Sequence, residues 1–141
     1  MLKPMTPHHT ASAKVVVRSI GTRHPDAIGL LRSGLYFDLG HLRNPHADRI
    51  MRYKTGLSED VRAHVLSTPG ATHLAVQIAE AAKAQLYSFA NRNQDPVTVT
   101  LACSGGRHRS VVMAEQVAEY LDIDDVPAAV EHLHIHASVI E

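Results

Sequence analysis

Val97-Thr98-Val99-Thr100-Leu101-Ala102 runs directly into Cys103-Ser104-Gly105-Gly106-Arg107-His108-Arg109-Ser110. The first six residues are a strand by composition and alternation. Gly105-Gly106 makes a turn, and Arg107–Leu121 follows as a helix with Val111, Ala114, Ala118 and Leu121 on one face. Strand, glycine turn and helix in this order aim free backbone N–H groups at an anion. Glycine turns tightly and lets a ligand approach the backbone. Arg107 and Arg109 add charge of a shape that suits phosphate oxygens, and Ser104 and Ser110 add hydroxyl donors. The plain alternative is a turn with two solvated arginines. So many such groups within one turn favour an anion site. The pattern GxxxxGK[ST] is absent from the sequence, which argues against nucleotide hydrolysis on a Walker loop.

Outward from this unit, strands and helices alternate. Val15-Val16-Val17, within Lys14–Ser19, is a buried-strand run that Gly21 ends. His24–Arg32 reads as a short helix, Leu35–Leu39 as a second strand, and His41–Leu57 as a long polar loop. Ser58 is placed to cap a helix through Leu66, and Pro69-Gly70 breaks the chain. Thr72–Ala90 is a helix whose stripe is Leu74, Ile78, Ala81, Ala82, Leu86 and Phe89. Val126–His136 holds a last strand, started late by Pro127. The pattern predicts one three-layer α/β domain over residues 14–141, with a mainly parallel sheet and helices on both faces. Met1–Ala13, polar and proline-bearing, is expected to be a flexible tail.

The 141 residues suffice for one core. Lys+Arg and Asp+Glu both number 14, a balance that does not by itself call for nucleic acid as a partner. A single cysteine, Cys103, rules out an internal disulfide and fits a reducing cytoplasm. No apolar run approaches the ~20 residues of a membrane span, and Met1–Ala13 lacks the apolar core of a signal peptide.

Cys103 and Arg109 stand as Cys-x5-Arg followed by Ser110, which resembles the signature loop of cysteine-dependent phosphatases. In that reading Cys103 is the nucleophile, Arg109 clamps the phosphate, and Asp38 or Asp48 is a candidate general acid. The bland reading is a small buried hydrophobe at a strand end.

A second resemblance covers roughly Lys14 to the C-terminus. Cys103–Val111 resembles the Cys-Thr-Gly-Gly-Lys/Arg-His-Arg-Ser-Val segment of the C-terminal domain of the RNase adapter RapZ family. Ser19-Ile20-Gly21-Thr22-Arg23-His24, Phe37-Asp38, Leu42-Arg43-Asn44-Pro45-His46, Thr55-Gly56-Leu57 and Ala114-Glu115-Gln116 resemble further segments of it, in order. The resemblance implies an α/β domain that binds glucosamine-6-phosphate and oligomerises. It implies a pocket built from His24, His46, Ser104, Gly105, Gly106, Arg107, His108 and Arg109; Asn44, Thr55 and Ser110 complete the candidate ligand-binding set. No cofactor and no metal is expected. The partners to consider are a phosphorylated small molecule or a bare phosphate or sulfate anion, a protein partner, a second copy of the chain, and RNA, but not a membrane. Gly40 stands where the family carries arginine, and a module without the family's basic C-terminal tail and kinase-like N-terminal domain is expected. A stand-alone metabolite sensor or adapter is therefore expected, with a phosphatase and an RNA-binding adapter as the alternatives.

Two further groups have double readings. His132, His134 and His136 alternate and on a strand would share one face, as metal ligands or as a polar sheet surface. Arg43, Arg49, Arg52 and Lys54 would face an acidic ligand or form a solvated loop.

Overall fold

The computed structural model describes residues 12–32 and 34–139. Up to residue 11, the expected tail lies outside the described residues. Four parallel strands form one sheet: β1 (Val15–Gly21), β2 (Leu35–Asp38), β3 (Val97–Cys103) and β4 (Ala128–His132), in the order β2-β3-β1-β4. Three helices accompany them: α1 (Glu59–Leu66), α2 (Ala71–Leu86) and α3 (Arg109–Ile123).

The chain moves from β1 past β3 to β2, then reverses direction for the next two crossovers. Right-handed connections put the first crossover and the later two on opposite faces. Two separate apolar clusters match this. Val15, Val17, Val99, Leu101 and Val130 pack with the residues of α1, α2 and α3, such as Val61, Ile78 and Met113. On the other face Ile20 and Ala102 meet Ala27 and Leu30 of the short helix Pro25–Arg32. The fold is the expected three-layer α/β arrangement, with one layer reduced to this single short element. That element is a 3-10 helix rather than an α-helix.

The connections leaving β1 and β3 depart to opposite faces, so the crevice between their carboxyl ends is the topological switch point where open parallel sheets bind ligands. Register places Gly21 of β1 opposite Cys103 of β3 there.

Several local expectations shift. Helix α2 stops at Leu86, because the Asn91 side chain takes the Leu86 carbonyl at 3.1 Å and closes a turn. Phe89 therefore leaves the apolar stripe and is 84% exposed. Ser58 precedes α1 in extended backbone but does not cap it with its side chain. Its hydroxyl donates to Asp60 at 2.6 Å instead. Lys54 and Ser58 together hold the Asp60 carboxyl down at about 2. The last strand ends at His132, four residues short of the expected span. No helix among the described residues is long and apolar enough to cross a membrane.

Candidate functional site

At the switch point two backbone turns touch. Thr22 N–H donates to the Cys103 carbonyl at 2.8 Å and Arg23 N–H to the Ser104 carbonyl at 3.0 Å. A Cβ on Gly106 would lie 2.4 Å from the Gly21 nitrogen, and one on Gly21 would lie 2.4 Å from the Gly105 carbonyl carbon. Gly106 also has φ +72°, the left-handed region that glycine enters without strain. The contact thus needs glycine on both sides.

Two stacked histidines hold this junction from behind, their ring centroids 4.4 Å apart. His24 Nε2–H donates to the Gly105 carbonyl at 3.0 Å. His134 accepts the Gly21 N–H on Nδ1 at 2.8 Å, which leaves Nε2–H to donate to Asp26 at 2.8 Å. That hydrogen bond holds the Asp26 carboxyl below its ordinary range. His24 is thus a buttress of the loop and not part of the pocket wall.

In front of the loop lies a pocket of about 140 Å³, with Arg23, Asn44, His46, Ser104, Gly105, Arg107, His108 and Arg109 on its wall, and Cys103. Residues 137–139 close one side, and among the described residues no aspartate or glutamate lines it. Arg109, the first residue of α3, is 5% exposed. Its Nη1 donates to the Gly40 carbonyl at 2.8 Å, and its Nε has no partner. No carboxylate pairs with this guanidinium among the described residues. Gly40 thus supplies a carbonyl to the pocket's buried cation.

His108 is buried beside it. Burial pushes its pKa below the ordinary value, and Nε2 is without a partner. Arg107 contributes charge while its donors are spent on backbone: the carbonyls of Lys54, Ile135 and Ala137 at 3.1–3.4 Å, and that of Tyr53. It ties the 53–54 loop to the chain beyond β4. Ser110 is fully buried, with its Oγ 3.2 Å and its N–H 3.5 Å from Cys103 Sγ. Gly106 and Ser110 lie behind the wall. Thr55 is also outside it, its hydroxyl accepting the Leu57 N–H at 3.2 Å. Asn44 accepts the His46 N–H at 3.1 Å and sets the turn that presents His46.

The alternating histidines do not share a face. His132 bridges Ser19 Oγ at 2.6 Å and Glu115 at 2.7 Å inside the helix-side core. His134 serves the junction, and His136 is exposed. No cluster of His, Cys, Asp and Glu that could hold a metal occurs among the described residues. The basic stretch is partly tied down rather than freely solvated: Arg43 donates to Ser67, Arg52 to the His46 carbonyl and Lys54 to Asp60. Arg23, Gly21 and the 137–139 segment are the parts of the site that sequence reasoning did not single out, and His134 was singled out only as a metal ligand or a polar sheet residue. The one available signal was that Gly21 and Arg23 lie in the segment that also carries His24.

The sequence profile of the RapZ C-terminal domain matches residues 13–136 of the chain. Curated relatives of the chain carry the name nucleotide-binding protein, among them the following three. The one from Sphingopyxis alaskensis is 40% identical over 96 residues, which is 67% of this chain and 30% of the relative. The one from Herminiimonas arsenicoxydans is 39% identical over 90 residues, 64% of this chain and 31% of the relative. The one from Streptomyces coelicolor is 31% identical over 135 residues, 88% of this chain and 45% of the relative. The chain thus spans less than half the length of each.

Proposed function

The chain belongs to the RapZ C-terminal domain family, and from that premise we propose that it is a binding module for a phosphorylated small metabolite, an amino-sugar phosphate such as glucosamine-6-phosphate. The observation that carries this reading is Arg109: a guanidinium 5% exposed, without a carboxylate partner among the described residues, in a pocket that none of their acids lines. A buried charge left unpaired costs several kcal/mol, and a ligand of opposite charge removes that cost. Arg23 and Arg107 add to the positive field, and the N-terminal end of α3 adds its dipole. His46 and His108 orient the remainder of the ligand. The relatives' name points to nucleotides, but about 140 Å³ is below the ~300–1,000 Å³ of pockets that enclose drug-sized ligands. A phosphoryl group on a compact carrier suits that volume better. Ligand binding would be passed on to a protein partner or a second copy of the chain.

The test is a thermal-unfolding titration with glucosamine-6-phosphate, glucosamine, inorganic phosphate and a nucleoside monophosphate. A ligand at ~100 times its Kd adds about 2.7 kcal/mol, a rise of several degrees in Tm for a domain of this size. A rise with the sugar phosphate well above that with phosphate supports the reading; no rise with either phosphate-bearing small ligand refutes it.

A further inference from the structure

We propose that Cys103 Sγ is a nucleophile and that the pocket transfers a phosphoryl group from an acyl or aryl phosphate to water. This rests on the reading that the pocket holds a phosphoryl group, and adds a reaction to it.

Cys103 is 3% exposed, at the end of β3 where the core meets the pocket. It lies against the anion pocket together with Arg109 and His108, each nine-tenths buried and each with a polar atom left without a partner. From the first turn of α3 the Ser110 N–H donates to the sulfur at 3.5 Å, and the Ser110 hydroxyl lies 3.2 Å from it, able to donate once the sulfur is a thiolate. Donors aimed at an atom stabilise negative charge on it, both in the attacking form and when it is later expelled as a leaving group.

The thiol gives its proton to solvent, and the sulfur lone pair forms an S–P bond with the bound phosphoryl group. The P–O bond to the leaving group breaks, and its electron pair stays on the departing oxygen. Water then attacks phosphorus, and the S–P pair returns to sulfur. Inorganic phosphate leaves, and the water proton passes to solvent. No oxidant or reductant is involved. The substrate class follows from what the wall lacks. Asp38 and Asp48 do not line the pocket. Asp38 accepts the Gly40 N–H and Asp48 the Ile50 and Met51 N–H groups, each at 2.8–3.0 Å. Among the described residues no carboxylic acid lines the pocket to protonate the departing oxygen, and burial disfavours the protonated form of His108, so the leaving groups that suit the site depart unprotonated, as a carboxylate or a phenolate does.

The experiment uses p-nitrophenyl phosphate and acetyl phosphate with the wild-type chain, Cys103→Ser and Ser110→Ala, beside calorimetric binding of inorganic phosphate to each. Release of nitrophenol by the wild type, its loss to background in Cys103→Ser with phosphate binding retained, and a mass gain of one phosphoryl group on Cys103 after acid quench are expected. In Ser110→Ala turnover falls about tenfold, the size of one lost hydrogen bond. Phosphate binding without turnover overturns the nucleophile and leaves the binding module standing. Absence of both overturns the two together. Turnover that survives Cys103→Ser overturns the nucleophile whatever the binding result. Should Cys103→Ser not fold, the phosphoryl adduct on the wild-type cysteine decides, and its absence during turnover refutes the proposal.

Discussion

Arg109 is a charge the ligand-free fold keeps at a cost. Its guanidinium is out of water, with the Gly40 carbonyl as its hydrogen-bonded support. Replacing it with methionine removes the buried charge and fills much of its volume. Arg109→Met is therefore expected to raise the unfolding free energy of the ligand-free chain, by about 1 kcal/mol or more, while abolishing the stabilisation by phosphate. Urea unfolding with and without phosphate reads both effects, and a variant that is less stable yet still phosphate-responsive would contradict the assignment. His108 makes a second residue-level prediction. Burial keeps its folded pKa below the ordinary 6.5. The unfolded chain then binds a proton at a pH where the folded chain does not. The contribution is complete above about pH 6.5 and drains as the pH falls from there towards the folded value. Stability measured between pH 7.5 and 5 should fall less steeply in His108→Asn than in wild type, and identical slopes would show that His108 does not titrate on unfolding. Both residues were legible in the sequence as members of one loop. That each keeps one buried nitrogen without a partner was not, because that depends on what the distant segments at Gly40 and Lys54 bring to them.

The strand–turn–helix unit was readable because its signals are local: alternation in β3, two glycines, and helical spacing in α3. The roles of His132 and His134 were not, because they depend on register between strands remote in sequence. Ser19 pairs with His132 across β1 and β4, and only that pairing turns an apparent row of surface histidines into two buried hydrogen-bonding groups. Phe89 failed for a related reason: spacing carried the α2 stripe past Leu86, where the Asn91 side chain had already ended the helix. The histidine pair behind the loop gives the element-scale prediction. His134→Ala leaves the Gly21 N–H buried without an acceptor, expected to cost about 1–3 kcal/mol. His24→Ala leaves the Gly105 carbonyl, which can turn towards pocket water, and should cost less. Both should weaken phosphate binding, since both loosen the junction that fixes the loop. Equal stability losses would mean that the two histidines act only through their stacking.

Across the whole molecule, layer number and parallel sheet follow from the alternation of short elements. The order β2-β3-β1-β4 does not, since no local pattern states which strand lies in the middle. That order puts the site at the centre of the domain, where β1 and β3 end together. A ligand bound there bridges the two, so hydrogen exchange should slow in β1 and β3 on adding the sugar phosphate, and protection confined to the surface loop would argue that the anion sits outside the crevice. The same central place of β1 has a consequence in time. Its two neighbours, β3 from Val97 and β4 from Ala128, lie in the last third of the sequence. At ~5–20 residues per second, a ribosome needs several seconds after finishing Val15-Val16-Val17 before either neighbour emerges. For that interval the central strand has no mate, so the nascent chain should lean on chaperones far more than the finished domain does.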